Sequence, residues 1–141
     1  MLVRLIYSSR AVGAIDPDGV QAILKKSKVH NAAAGVTGLL CCSGNVFLQV
    51  LEGSRSAVSA LYNRIAADPR HTDVVLLAYA EITERKFAGW AMGQVNLARV
   101  NPALLLKYSE TAVLDPYAVS AAVSMALLEE LVATASIVGC N

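Results

Sequence analysis

Asn31-Ala-Ala-Ala-Gly35-Val-Thr-Gly38-Leu-Leu-Cys-Cys-Ser-Gly44-Asn45-Val-Phe-Leu-Gln49-Val-Leu-Glu52-Gly53 holds two aliphatic, β-branched runs separated by Gly44-Asn45. Glycine has no Cβ to clash and asparagine tolerates the left-handed region, so the pair suits a turn needing positive φ, and the stretch reads as a β-hairpin. Side chains alternate along a strand. Phe47, Gln49 and Leu51 therefore share one face of the second strand, and Val46, Leu48 and Val50 the other. Both faces are apolar and both need covering. Gln49 is the exception: an amide among large apolar neighbours must find hydrogen-bond partners or lose about 1–3 kcal/mol to desolvation.

Outward from the hairpin, residues 2 to 8 alternate as a strand, with Val3, Leu5 and Tyr7 on one face and Tyr7 at its end. Asp16 as N-cap and Pro17 at the first helical position open a helix carrying Val20, Ile23 and Leu24, which is expected to run to about His30. Ser54 caps a second helix whose Val58, Leu61, Tyr62 and Ile65 form one apolar stripe, stopped by Asp68-Pro69. Residues 73 to 82 read as a long strand and residues 90 to 96 as a short one. The order is βαββαββ. Right-handed crossovers put both helices on one side of the sheet, which predicts an α+β, ferredoxin-like sandwich. The opposite face is left for the C-terminal segments 103 to 108 and 116 to 138. The second, capped by Asp115-Pro116, presents Val119, Val123, Leu127, Leu128, Leu131 and Val138. Glu129-Glu130 in its middle argues against a membrane span.

The chain has 141 residues, 55% of them hydrophobic, and a formal net charge of +1. That is enough apolar material for one core, and the weak field gives no reason to expect nucleic acid. The start lacks the regions of a signal peptide, so a cytoplasmic protein is expected. Cys41 and Cys42 fall on opposite faces of a strand and Cys140 is near the terminus, with no metal or disulfide spacing. Buried reduced thiols follow.

The polar residues placed near the two helices are Tyr7, Asn31, Gln49, Arg64, Asp68, Arg70 and His71. Each has an ordinary structural reading: a half-buried strand tyrosine, a helix-terminal asparagine, solvated helix charges, a surface histidine. Phosphate-loop, dinucleotide and nucleophile-elbow motifs are absent.

Taken together, Leu5-Ile-Tyr7-Ser-Ser-Arg10, Asn31 followed by Gly35-Val-Thr-Gly38-Leu-Leu, Phe47-Leu-Gln49-Val-Leu-Glu52-Gly53, Asp68-Pro-Arg70-His71 and Trp90-Ala-Met92-Gly93 resemble a BLUF domain, the blue-light sensor that uses FAD. The resemblance covers about residues 1 to 97 in order, which divides the chain into a flavin-binding photosensor over 1–97 and a helical extension over 98–141.

The resemblance implies a flavin between the two helices, above the face bearing Tyr7 and Gln49, with FAD as cofactor and FMN or riboflavin as alternatives. Asn31 is then expected to hold the ring, Arg64, Asp68 and His71 to close on it, and Lys25, Lys28 and Arg70 to make phosphate or outer contacts. Tyr7 is the implied electron and proton donor, and Gln49 the amide whose hydrogen bond to the ring changes. Trp90 and Met92, two apart on one strand, face the same way and could exchange beside Gln49 by a two-residue register shift. No attached enzyme is expected. The expected output is contact with an unidentified protein partner or with a second copy, through the C-terminal helix and a free sheet face. Two rivals stand beside this reading: an acylphosphatase-like hydrolase using Arg10 and Asn45, and a light-inactive structural oligomer.

Overall fold

The computed structural model describes residues 1–13 and 17–134, with the backbone alone at residues 17, 18, 20 and 24. The expected Asp16 cap, the side chains of Val20 and Leu24, and Val138 and Cys140 lie outside the described residues. The elements are β1 (Leu2–Ala11), α1 (Pro17–Ala34), β2 (Thr37–Ser43), β3 (Val46–Ser54), α2 (Arg55–Ala67), β4 (His71–Ile82), β5 (Gly93–Asn96), a 3₁₀ turn (Leu97–Arg99), α3 (Pro102–Leu106) and α4 (Ala121–Ala133). The strands form one sheet in the order β4-β1-β3-β2-β5, antiparallel except for the β2–β5 pair. This is the expected ferredoxin-like arrangement.

The alternation in the hairpin sorts two cores. On the face of α2, Val3, Leu5, Tyr7, Val36, Leu51, Val58 and Met92 are buried together, with Leu61, Tyr62 and Ile65 packed against them. On the other face, Ile6, Leu39, Cys41, Leu48 and Val50 meet Leu105, Leu114, Leu127, Leu128 and Leu131. The C-terminal helices therefore cover the second face, and that face is not free for another copy. Beneath α2 the sheet is tight. A Cβ on Gly38 would lie 1.9 Å from the Val50 carbonyl oxygen, so glycine alone lets β2 approach β3 there.

Several boundaries differ from expectation. β1 runs through Tyr7 to Ala11, so Tyr7 sits mid-strand, 3% exposed. α1 continues past His30 and stops where Gly35 takes φ +71°, which leaves Asn31 inside its last turn. The long C-terminal helix is shorter: Asp115 Oδ1 accepts from the Tyr117 amide in a turn, and Ser120, accepting from the Val123 amide, is the true N-cap of α4. β5 begins at Gly93, and residues 90 to 92 are irregular because their carbonyls are claimed elsewhere, Trp90 O by the Gly38 amide at 2.9 Å and Ala91 O by Asn31 Nδ2 at 3.0 Å. Trp90 and Met92 consequently face opposite sides of the sheet, Trp90 against the α4 core and Met92 within the α2 core. Among the described residues no helix is long and apolar enough to cross a membrane, and no cluster of His, Cys, Asp and Glu is disposed to hold a metal ion.

Candidate functional site

Tyr7 and Gln49 are direct cross-strand partners on β1 and β3, so their side chains rise side by side from one face. The Tyr7 hydroxyl donates a short hydrogen bond to Gln49 Oε1, and Gln49 Nε2 donates to Met92 Sδ at 3.1 Å. The buried amide thus has a partner at each end, as the hairpin pattern required. Burial, reinforced by Tyr62 and Cys42, pushes the Tyr7 phenol well above its ordinary range, so it stays protonated. The Tyr62 ring lies 5.6 Å from that of Tyr7, tilted by 60°.

Above this floor lies a cleft of about 600 Å³ between α1 and α2. Tyr7, Leu40, Phe47, Gln49 and Met92 form its base, Gly19, Ile23, Lys26, Ser27, His30 and Asn31 its α1 wall, and Leu61, Arg64, Ile65 and Asp68 with Arg70 and His71 its α2 side. The expected residues Tyr7, Asn31, Gln49, Met92, Arg64, Asp68, Arg70 and His71 all converge there. Lys25 and Lys28 do not line it, and Trp90 lies beyond the sheet, its Nε1 buried without a hydrogen-bond partner among the described residues.

Arg64 and His30 meet across the mouth, with Arg64 Nη2 2.5 Å from His30 Nε2. Arg70 is engaged by its own turn through Nε to both Asp68 oxygens at 3.0 Å, and these bonds hold the Asp68 carboxyl down at about 2. His71 is fixed by both ring nitrogens, Nδ1 at 3.0 Å from Ser9 Oγ and Nε2 against the Ile65 carbonyl. Lys26, Ser27 and His30 are the polar residues of the α1 wall to which the sequence reading gave no role. The helical period offered the signal: counting back by fours from Asn31 reaches Ser27, Ile23 and Gly19, and from His30 reaches Lys26.

The residues of the rival hydrolase are neighbours across β1 and β3 but are otherwise engaged or exposed. Arg10 Nε pairs with Asp73 at 3.4 Å and its guanidinium stacks 4.4 Å over the Tyr117 ring, while Asn45 is exposed at the hairpin tip.

A mainly apolar cleft with the Gln49 amide at its base, the Asn31 amide on its wall and Lys26, Arg64 and Arg70 among its lining residues fits a planar heterocycle that carries carbonyls, an N–H edge and an anionic tail. Its volume falls in the range of roughly 300–1,000 Å³ that small-molecule sites occupy.

Comparison with known proteins gives the same answer. The family model described as sensors of blue-light using FAD matches residues 2–93. The chain is 38% identical over 92 residues to the photoactivated adenylate cyclase subunit beta of Euglena longa, covering 64% of this chain and 11% of that one, so it spans about a tenth of this relative's length. Among solved structures it is similar to BlrB, a BLUF protein in its dark state, with 32% identity, a TM-score of 0.80 and coverage of 95% and 96% of the two chains. BlsA in its photo-activated state is 28% identical, with a TM-score of 0.83 and coverage of 93% and 94%. With the cleft, its buried tyrosine–glutamine pair and a family match over most of the sequence in agreement, the chain belongs to the BLUF family, the sensors of blue light using FAD.

Proposed function

We propose that this chain is a blue-light sensor that holds a flavin, FAD in the first instance, in the cleft between α1 and α2, and that it passes the signal to a protein partner. The observation that carries this reading is the buried chain of hydrogen bonds from Tyr7 through Gln49 to Met92 at the base of the cleft. When bound, a flavin supplies an excited state able to take up one electron, and a ring edge of carbonyl acceptors and an N–H donor.

Tyr7 gives up the electron, and its phenolic proton has a ready acceptor in Gln49 Oε1. Gln49 can take that proton at Oε1 while passing one from Nε2 to an acceptor on the ring edge, or rotate about its last side-chain bond. Rotation carries Nε2 away from Met92 Sδ and turns the amide toward the ring, whereas the proton shift leaves one N–H on that nitrogen. Asn31 holds the ring edge while fixing Ala91 O, so the residue that grips the flavin also grips the segment next to Met92. Arg64, Asp68 and His71 close the α2 side. Arg70 and, further out, Lys25 and Lys28 complete the positive surround toward the phosphates.

Residues 1–97 form the sensor and 98–141 the output extension. The chain itself performs no catalysis. Its signal runs through the segment before β5, whose Phe87 is buried in the α4 core and whose Lys86 pairs with Glu129 of α4, and the receiver is a partner protein or a second copy of this chain. The test is an absorption spectrum before and after blue light. Purified protein should be yellow and show a small, reversible red shift. A colourless protein that takes up no added FAD, or a flavin-loaded one with no shift, would overturn the reading.

A further inference from the structure

The contact across the mouth of the cleft has a chemical condition attached. Arg64 has no acceptor of its own, so its 2.5 Å approach to His30 Nε2 is a hydrogen bond only while that nitrogen carries a lone pair, that is, while His30 is neutral. Both side chains also line the cleft. The guanidinium that faces the ligand is thus tied to the opposite helix in one charge state of His30 and repelled by it in the other.

We propose that His30 sets the affinity of the cleft for phosphorylated flavin through its charge: neutral, it ties up Arg64 across the mouth; protonated, it releases Arg64 and adds a cation to the wall. The inference rests on the flavin-binding reading given above. Histidine is the side chain that ordinarily changes charge between about pH 5 and 8.

The other charged and titratable groups around His30 are placed differently. On α1, Lys26 lines the same wall. On the α2 side, Asp68 and Arg70 neutralise each other at any pH well above about 2. From β1, Tyr7 stays protonated. His71 is held through both ring nitrogens by Ser9 and the Ile65 carbonyl, on the side of the cleft away from α1.

The sign follows directly. Acidification frees one cation and creates another beside a ligand tail whose pyrophosphate keeps its charge over this range, so FAD should bind more tightly at low pH. One added unit charge several ångströms from a doubly charged group, in largely aqueous surroundings, changes affinity by about fivefold. Riboflavin, which has no phosphate, gains only the release of Arg64 and should respond less.

The experiment measures the dissociation constants of FAD and riboflavin with the flavin-free full chain at about pH 8 and about pH 5.5, by fluorescence titration. The wild-type chain should gain about fivefold for FAD and less than about twofold for riboflavin. His30→Gln, which keeps an acceptor for Arg64 but cannot be protonated, should bind FAD weakly at both pH values. His30→Lys, a permanent cation, should bind it tightly at both. His30 is exposed, so neither change threatens the fold. A flat wild-type response, or one that persists in His30→Gln, would overturn the inference, and so would an equal gain for riboflavin. A chain that binds neither flavin at either pH would instead overturn the flavin reading beneath it.

Discussion

Tyr7 and Gln49 are 42 positions apart in the chain and directly opposed in the sheet. Their types and faces were legible in the sequence, because alternation fixes which residues share a side. Their pairing was not, because the register of β1 on β3 depends on contacts that no local pattern encodes. The same applies to Met92, whose sulfur completes the coordination of the amide. The consequence at this scale is specific. Tyr7→Phe keeps the ring in its packed site but removes the hydroxyl donor, leaving Gln49 Oε1 buried and unpaired, so stability to urea should fall by about 1–3 kcal/mol. Flavin should still bind and the light-induced red shift should vanish. Gln49→Leu should also retain flavin without the shift, now by stranding the Tyr7 hydroxyl. A normal shift in either variant would remove the pair from the photochemistry, and loss of flavin from both would make it a structural pair.

Between residues and molecule stands the segment from Thr83 to Met92, which has no regular structure and yet is held at several points. Its main anchor is Glu52, fully buried at the end of β3, which accepts from Arg4 Nε at 2.8 Å, from the Lys86 amide at 3.1 Å and from the Phe87 amide at 2.8 Å. Arg85 adds a bond to the Gly35 carbonyl at the end of α1. Apolar periodicity suggested a strand from Trp90 because it cannot register carbonyls already taken by Asn31 and Gly38, and it gave no reason to expect a buried carboxylate. Removing one partner of a buried ion pair typically costs about 3–5 kcal/mol, and Glu52→Ala, which also frees two amides and Arg4, should fall in that range by urea unfolding. Because the same anchor positions Ala91 against Asn31, the variant should bind flavin more weakly even where it remains folded.

A second element-scale test uses the turn after α2. The Asp68 carboxyl is lowered to about 2, chiefly by its hydrogen bonds from Arg70, so its contribution is present above about pH 4 and is lost as pH falls through about 2. The group is partly solvated, so the effect on stability is small. Carboxyl NMR of Asp68 should titrate near 2, and Arg70→Ala should return it toward the ordinary aspartate value.

At the scale of the whole molecule, the C-terminal segment was expected to lie over the second sheet face and also to form, with whatever that face left free, a surface for another copy. In the fold the two satisfy each other: Leu127, Leu128 and Leu131 of α4 and Leu105 of α3 close over Leu39, Leu48 and Val50. Composition and periodicity show that such a helix needs a partner, but not whether the partner is its own sheet. The distinction can be measured. Truncation after Asn101 removes α3 and α4 and uncovers that whole face, and each large aliphatic residue so exposed forfeits about 1.5–3 kcal/mol of burial. Against a total stability of about 5–15 kcal/mol, this is enough to unfold the domain or drive its exposed face into aggregates. Light scattering and flavin retention should therefore show aggregated or flavin-poor material for the truncated chain. A truncated chain that stays monodisperse, yellow and light-responsive would mean that the sensor's core ends at the sheet, and that the helices are held on its surface for a partner to displace.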